Sequence, residues 1–316
     1  MIERSRREIS VGIAILAICT VMAVVAPGFF TLENQTDLLL ANIPVLIVAV
    51  GMTLVILAGQ IDISVGSQFA VCAVLAGTFA KLGLPAVVSA LLACVAGGLL
   101  GALNGALVSY AHIPSIVVTL AAMVALRDGL RWTTEGAWVQ DLPRGFQWFG
   151  LSQSGSGLLT TSIGVLLLAC AAWVLGNVAA GRAVYATGSD TNAARLAGLR
   201  PDRITFSVFV LIGVLTGCAA VLNSVRFNQI PSNGGLGLEM KVIASVVVGG
   251  VAVTGGKGTV WGTALGVVLL GIIGPALTFM GVSAYWERAI QGAIILSAVA
   301  LDSVRVRSKK DGGRTS

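Results

Sequence analysis

Hydrophobic and polar residues alternate along this chain in long blocks. Ten apolar runs are separated by short polar stretches: 11–26, 43–58, 66–84, 86–111, 113–126, 158–180, 206–222, 242–253, 260–280 and 289–301. A helix needs about 20 residues to cross the hydrocarbon core of a bilayer, so most runs predict transmembrane helices. The fifth, eighth and tenth runs are short, and helices of this kind are common near transport pathways. We predict an all-α fold with eight to ten transmembrane helices, ten being preferred.

The composition indicates that lipid is the main solvent of the chain. Of the 316 residues, 56% are hydrophobic and only 11% are charged, and the mean hydropathy is +0.93. Forty residues are glycine, which suits helices that pack closely in a membrane, where burial of apolar surface gives no driving force. We predict one polytopic transmembrane bundle over residues 1–316, in contact with the lipid of a bacterial inner membrane.

The distribution of positive charge predicts the orientation of the bundle. If the first helix starts inside, thirteen of the 20 Lys and Arg residues lie on the cytoplasmic side, as the positive-inside bias requires. Both termini are then cytoplasmic. The longest loop, 127–153, is then external. The polar segment 181–206 is cytoplasmic and carries four arginines, Arg182, Arg195, Arg200 and Arg203.

The first apolar run has two interpretations. Arg4, Arg6 and Arg7 precede it and Pro27 follows it, as in a secretory signal peptide. The run is long for a signal core, however, and it is followed by further membrane segments and not by a soluble domain. We therefore expect an uncleaved first helix.

Several kinds of chemistry are not indicated by the sequence. The net charge of +6 comes from residues spread over loops, so nucleic acid is not an expected partner. All five cysteines lie in apolar runs without a CxxC pair, and His112 is the only histidine, so we expect neither a disulfide nor a metal site. No nucleophile, base and orienting group fall together, and an enzyme acting alone is not expected.

The loop 127–153 is rich in aromatic and charged residues. Its candidate contact residues are Trp132, Glu135, Trp138 and Arg144. Tryptophans at a membrane interface commonly anchor a loop to lipid headgroups. A docking face for an external partner is the alternative.

A carboxylate lies close to the hydrocarbon in the stretch AGQIDISVGS, residues 58–67. An acid in this position is costly and by default marks a functional or gating site. Asp62 and Ser64 are also suited to cap the helix that follows, and the two roles are compatible. Gln60, Asp62 and Ser64 are therefore candidates for the transport pathway or its gate.

Glycines repeat at a spacing of four in the fourth apolar run. Gly97, Gly101 and Gly105 fall on one helix face, which favours close contact with a neighbouring helix. Asn104 beside them either bonds to that neighbour or lines the pathway. Gly262 and Gly266 predict a similar contact in the ninth run.

The stretch GGVAVTGGKGT, residues 249–259, suggests a phosphate-binding loop but does not match one. The GxxxxGK pattern requires glycine where Val251 stands, and Gly258 occupies the place of the Ser or Thr that binds magnesium. We expect a tight turn between two close-packed helices instead.

Two stretches, LGALNGAL at 100–107 and LGIIGPAL at 270–277, resemble each other. They belong to the fourth and ninth runs, which cross the membrane in opposite directions if ten helices are present. The pair therefore suggests an inverted repeat, an architecture common among transport proteins.

Four stretches occur in the order in which one protein family has them. AGQIDISVGS is similar to a GGIDLSVGS signature, and YATGSDTNAARLAG at 185–198, with Gly181-Arg182 before it, is similar to a cytoplasmic loop motif. VGGVAVTGGKGTVWG and GVSAYWERAIQGAIILSAVALD are similar to the remaining two. Together they resemble permeases of the ribose, xylose and arabinose type of ATP-binding-cassette importer. The chain departs from the pattern at Gln60, where glycine is usual, and at Ser189-Asp190, where Gly-Asn is frequent.

The resemblance implies the partners. A permease of this type pairs with a second copy or a paralogue, with an ATP-hydrolysing subunit below and an external sugar-binding protein above. ATP and Mg²⁺ are then bound by the partner ATPase, and this chain has no cofactor and no catalytic residue. The loop 127–153 is most similar to those of permeases for rhamnose and for autoinducer-2.

By the same resemblance, the segment 181–206 holds the helix that docks on the ATPase. We expect its small residues to be small because a partner surface approaches them closely. The matching positions are Gly181, Arg182, Tyr185, Gly188, Ala193, Ala194 and Gly198.

An ion- or proton-coupled secondary transporter is the alternative from another class. Such a carrier is expected to keep ionisable residues within its spans. Here Asp62, Glu239 and Lys241 all lie near the ends of apolar runs, which favours the importer permease.

Overall fold

The computed structural model of the chain describes residues 2–283 and positions 286, 289–290, 292–293 and 296. In this part, α-helices dominate, with two short 3-10 helices at Pro27–Phe30 and Gln147–Gly150. The α-helices are α1 (Ile2–Val25), α2 (Leu32–Leu57), α3 (Val65–Lys81), α4 (Ala86–Ser109), α5 (Ser115–Thr134), α6 (Gln153–Asn177), α7 (Ala179–Ser189), α8 (Thr191–Leu196), α9 (Pro201–Ser224), α10 (Leu238–Val248) and α11 (Val260–Phe279). The all-α fold class is confirmed for the described residues.

Among the described residues, six helices are long and apolar enough to cross a membrane: α1, α2, α4, α6, α9 and α11. The apolar helix α3 is shorter, with 17 residues. The helix α10 has 11 residues, a length of about 16 Å, so it covers about half of the hydrocarbon core. The tenth apolar run, 289–301, falls mostly outside the described residues, and a total of ten transmembrane helices stays a prediction.

Polar residues extend several helices beyond the apolar runs. The helix α5 continues through Arg127 and Asp128 to Thr134, where Glu135 adopts a left-handed φ of 52° and ends it. A surface ion pair between Asp128 and Arg131, 3.9 Å apart, lies within this extension. The loop predicted over 127–153 is therefore wrong in its first part, because charged residues continue a helix as readily as apolar ones do.

The helix α2 lies at the centre of the bundle. Nearly all of its residues from Ile43 to Leu57 are buried, and it packs against α6, α9, α10 and α11. A helix that is apolar on all sides is suited to this enclosed position. The helix α1 lies at the edge, where Met22 joins Phe29 and Ile272 in a separate apolar cluster.

Three elements meet at one end of the bundle. Thr259 Oγ1 donates a hydrogen bond to Glu8 Oε1 of α1 (2.7 Å), and Tyr185 Oη donates to Gly258 O (2.9 Å). The start of α1, the segment 181–206 and the loop 249–259 are therefore close together. We call this the basic end, because Lys257 and the four arginines of the segment 181–206 belong to it.

The opposite end of the bundle is defined by contacts far from the basic end. Val139 and Ile230 form an isolated antiparallel bridge, in which each N–H donates to the other carbonyl at 2.9 Å. Phe29 contacts Phe279, the last residue of α11, with ring centroids 5.6 Å apart. Both α9 and α11 start at the basic end. Ile230, which follows α9, and Phe279, at the end of α11, therefore lie at the opposite end.

Candidate functional site

Close packing of α4 on α9 fixes one wall of the site. A Cβ atom added to Gly97 would meet Gly213 O, and one added to Gly101 would meet Phe209 O. One added to Gly105 would meet Phe209 Cβ and Phe206 O. The predicted glycine face therefore lies directly on the backbone of α9, because only glycine leaves room for this approach.

A second glycine contact joins α10 and α11. A Cβ atom added to Gly262 would meet Gly249 O, and one added to Gly266 would meet Ser245 O. The turn between these helices contains Gly255 and Gly256, both with positive φ. This geometry agrees with the tight turn expected for residues 249–259.

A buried polar cluster occupies the linker between α2 and α3. Asp62 is fully buried, and its Oδ1 accepts hydrogen bonds from the N–H (2.8 Å) and the hydroxyl of Ser64. Gln68 Nε2 donates to Asp62 Oδ2 (3.2 Å) and to Ser64 Oγ (2.7 Å). Asn104 Nδ2 of α4 donates to Ser64 Oγ (2.9 Å). We call these four residues the Asp62 cluster.

The Asp62 cluster contains three of the four residues proposed for the pathway or gate. Gln60 lies apart from it, since its N–H donates to Val55 O (3.0 Å) and its side chain is half-buried. Gln68 was not anticipated, because it stands inside an apolar run. Burial raises the pKa of Asp62 above its usual value, and the hydrogen bonds from Ser64, Gln68 and Asn104 oppose that rise.

The chain between α9 and α10 returns into the bundle without forming a helix. Ile230 contacts the position of Gly77 near the end of α3, whereas Gly235 O and Glu239 contact Gly66 near its start. Gly66 and Gly77 are about 16 Å apart along a helix. We call residues 226–237 the return segment, because they run along α3 from the opposite end of the bundle into its interior.

An ion pair lies where the return segment meets α10. Arg127 Nη2 of α5 is 3.7 Å from Glu239 Oε1, with the two side chains 25% and 7% exposed. Ser67 Oγ donates to Met123 O (2.8 Å), one turn before Arg127, so α3 holds α5 beside this pair. In the sequence, Arg127 and Glu239 each lie near the end of an apolar run. Nothing in the pattern of charged and apolar residues indicates that the two side chains pair.

The segment 181–206 forms a helical unit with an inward and an outward side. Its inward side includes Gly188, where a Cβ atom would meet Leu57 O, and Gly181, where it would meet Val174 O. Tyr185 bonds to Gly258, as described above, and Ala194 is 3% exposed. The small size of Gly188 and Ala194 therefore serves packing within this chain, which differs from the expected approach of a partner surface.

The outward side is formed by α8. Asp190 Oδ1 caps this helix by accepting from the N–H groups of Asn192 (2.9 Å) and Ala193 (3.0 Å). Ala193 is exposed, and Leu196 is 92% exposed. Gly198 has a left-handed φ of 83° with open space around it, so its role here is conformational. Arg182 is exposed and donates to Asn177 O (3.3 Å).

The candidate contact residues at the opposite end are all exposed: Trp132, Glu135, Trp138 and Arg144. The loop that carries Trp138 and Arg144 is hydrogen-bonded to the return segment and to Val225, the residue before that segment. Trp148 N–H donates to Val225 O (2.8 Å), and Ser232 Oγ donates to Gly136 O (3.0 Å). The Val139–Ile230 bridge lies between these bonds.

Within the described residues, no group of three or more His, Cys, Asp or Glu side chains is arranged to hold a metal ion. The five cysteines are free, and Cys170 is the exposed one among them.

Comparison with known proteins gives the family. Residues 34–299 match the family described as branched-chain amino acid transport system / permease component. The chain is 35% identical over 303 residues to the autoinducer 2 import system permease protein LsrC of Yersinia pseudotuberculosis serotype O:3 (strain YPIII), covering 95% of this chain and 85% of that protein. The protein of the same name from Photorhabdus luminescens is 34% identical over 305 residues, with 95% and 90% covered.

No solved structure matches the chain. The apolar helices and these relatives make it a multi-pass protein of the inner membrane. It belongs to the branched-chain amino acid transport system / permease component family and is the permease component of an ATP-binding-cassette importer.

Proposed function

We propose that this chain is half of a permease dimer that imports a neutral, sugar-like solute of the autoinducer-2 type. The second half is another copy or a paralogue. A cytoplasmic ATPase binds ATP and Mg²⁺ and hydrolyses the nucleotide, so that this chain needs no catalytic residue. An external binding protein delivers the solute, and the chain's apolar outer surface contacts lipid.

The two-sided unit of α7 and α8 is the observation that carries this proposal. Its inward side packs on the end of α2 through Gly188, and its outward side presents Leu196. An almost fully exposed leucine beside small residues suits a hydrophobic groove on a partner. Force applied to α8 would reach α2, the most enclosed helix of the bundle.

The arrangement of charge supports the orientation that this mechanism needs. The start of α1, the segment 181–206 and Lys257 lie at one end, and they carry most of the basic residues that the positive-inside bias assigns to the cytoplasm. The basic end therefore faces the ATPase. The opposite end, with Trp132, Glu135, Trp138 and Arg144, faces the binding protein.

The proposed solute rests on the relatives. Two of them carry names that assign them to autoinducer 2 import. Transport then follows alternating access, in which loaded binding protein and ATP-closed ATPase each favour one of two conformations. Rhamnose is the second candidate, because the loop 127–153 also resembles permeases for that sugar.

Uptake by the assembled importer in proteoliposomes tests this function. Labelled autoinducer-2 and L-rhamnose are offered with the binding protein outside, ATP inside, and the proton gradient collapsed by an ionophore. We expect uptake that requires ATP and ceases with a hydrolysis-deficient ATPase. Uptake that persists without ATP and depends on the proton gradient would instead establish the secondary transporter.

A further inference from the structure

We propose that Arg127 and Glu239 bind a hydroxyl group of an uncharged, polyhydroxylated solute on its way through the membrane. The inference rests on the proposed import function and adds to it a site and a chemical class of ligand. Its basis is a charge pair in the interior of the bundle with two buried atoms that have no hydrogen-bond partner.

The position of the pair is unusual for a structural ion pair. Glu239 stands in the first turn of α10, which starts beside Gly66 and so about 16 Å inward from the Val139–Ile230 bridge. Charged groups at this depth are costly. A buried ion pair is often no more stabilising than apolar residues of the same volume. Its presence therefore points to a role in transport.

Part of the hydrogen-bonding capacity of the pair is not used within the described part of the chain. The separation of 3.7 Å between Arg127 Nη2 and Glu239 Oε1 is too long for a hydrogen bond. Arg127 Nη2 and Glu239 Oε2 are both buried without a hydrogen-bond partner. Buried polar atoms are usually paired, and these two belong to one charge pair, so a single ligand group can satisfy both.

The chemistry of the two groups selects the kind of ligand. A hydroxyl group can donate to the carboxylate and accept from the guanidinium at the same time, which satisfies both. An anion would be attracted by Arg127 but repelled by Glu239, and a cation the reverse, so the pair gives neither a net attraction. An uncharged molecule with several hydroxyl groups is therefore the ligand that fits.

The residues around Glu239 hold its carboxylate in place and leave it accessible to a ligand. A Cβ atom on Gly66 would overlap Glu239 Oε2 and Gly235 O, so glycine at this position makes room for the carboxylate. The return segment is irregular backbone at membrane depth, which is tolerated where it lines a cavity or is covered by protein. The partial exposure of Arg127 leaves one side of the pair open.

A first experiment measures binding without transport. The purified permease is heated with D-ribose, L-rhamnose or autoinducer-2 at millimolar concentration, and its melting temperature is recorded. A ligand that binds only the folded protein raises this temperature. We expect a rise for the wild type that is lost in Glu239→Gln and in Arg127→Lys. No rise with any of the three, or an equal rise in both variants, overturns the inference.

A second experiment locates the hydroxyl through specificity. The assembled importer takes up the transported solute and its monodeoxy analogues, and kcat/KM is compared between wild type and Glu239→Gln. The same binding protein delivers every solute to both permeases. Its selectivity therefore cancels when the wild-type to Glu239→Gln ratio of kcat/KM is compared between solutes. We expect a loss of about tenfold or more for the parent solute and about twofold or less for one analogue, which lacks the bonded hydroxyl.

A control variant and the pattern of losses distinguish failure of the binding site from failure of the import function. Asp128→Asn removes the neighbouring charge, which is exposed and pairs with Arg131, and it should change neither measurement. A loss that is equal for the parent and every analogue means that the pair has a structural role, and it overturns the inference while import stands. If no solute is imported but the melting shift depends on Glu239, the import function fails while the binding site stands.

Discussion

Gly188 of α7 lies directly against the carbonyl oxygen of Leu57, the last residue of α2. The same carbonyl accepts a hydrogen bond from Gly256 N–H (2.9 Å). Three elements therefore meet at one backbone group: the unit of α7 and α8, the central helix α2, and the glycine turn of residues 249–259. In a close-packed interior, a displacement of any one of them is passed to the others.

Replacing Gly188 by alanine tests this contact. The added methyl group would overlap Leu57 O and displace the N–H of Gly256, which we expect to cost about 1–3 kcal/mol of stability. ATP-driven uptake should fall strongly even in molecules that remain folded, because the unit can no longer seat on α2. Thermal unfolding of the purified permease and uptake in proteoliposomes measure the two effects.

Gly176→Ala is the matched control for this substitution. Gly176 lies in α6 near its end, and a Cβ atom there would have no neighbour within 4 Å. We expect unchanged uptake and unchanged or slightly raised stability. Wild-type uptake in the Gly188 variant would show that α2 does not take part in coupling.

Leu196 provides a prediction about the partner surface. Because it is almost fully exposed, Leu196→Ala should leave the stability of the permease unchanged. As the proposed anchor in the ATPase, however, the side chain buries apolar surface there, and its truncation should lower the affinity for that subunit by about tenfold or more. Pull-down of the ATPase by the tagged permease in detergent measures the change.

The control for Leu196 is Leu32→Ala. Leu32 is also strongly exposed but lies at the start of α2, at the opposite end. Its truncation should leave binding of the ATPase unaltered. If both leucine variants retain the ATPase equally, the docking surface lies elsewhere in the segment 181–206.

The sequence predicts most helices well because burial in lipid requires long apolar runs. The runs at 86–111 and 260–280 correspond closely to α4 and α11. The glycine spacing also anticipates that α4 packs closely on another helix, since small residues four apart form one face, whereas its partner α9 comes from the structure. These features are local, so a pattern along one helix contains them.

The ion pair and the return segment are not local. Arg127 and Glu239 belong to helices far apart in the sequence, and each resembles an ordinary residue at a span end. The return segment reads as a polar loop, because its entry into the bundle depends on Ile230 and Gly235 fitting along α3. The length of the eighth run was the available signal, since a helix of 11 residues cannot span a membrane.

Joining Val139 to Ile230 tests whether the return segment moves during transport. Residues that exchange both hydrogen bonds in an antiparallel pair have Cα atoms about 5.5 Å apart, within the range of a disulfide. Val139→Cys with Ile230→Cys, in a protein whose five native cysteines are replaced, should cross-link under mild oxidation. We expect uptake to stop on oxidation and return after reduction.

Single-cysteine proteins serve as controls for the cross-link. Val139→Cys alone and Ile230→Cys alone should transport equally in oxidising and reducing buffer. Full uptake by the cross-linked protein would mean that the loop 135–151 and the return segment move as one body, with the pathway opening elsewhere.

Asp62 gives a prediction that depends on pH. Its pKa in the folded protein is raised from 3.8 by burial, so the folded protein holds the proton more tightly than the unfolded chain does. Stability then falls as the pH rises from about 3.8 through the raised pKa, and levels off above it. Asp62→Asn lacks this titration, and Gln68 Oε1, which has no hydrogen-bond partner, can accept from the new amide.

Thermal unfolding at a series of pH values measures this titration. We expect the stability of the wild type relative to Asp62→Asn to decline as the pH rises through that range. Asp62→Ala should be less stable than either at every pH, because Ser64 N–H and Gln68 Nε2 lose an acceptor. A pH profile that is parallel for wild type and Asp62→Asn would contradict the raised pKa and would assign the cluster a purely geometric role.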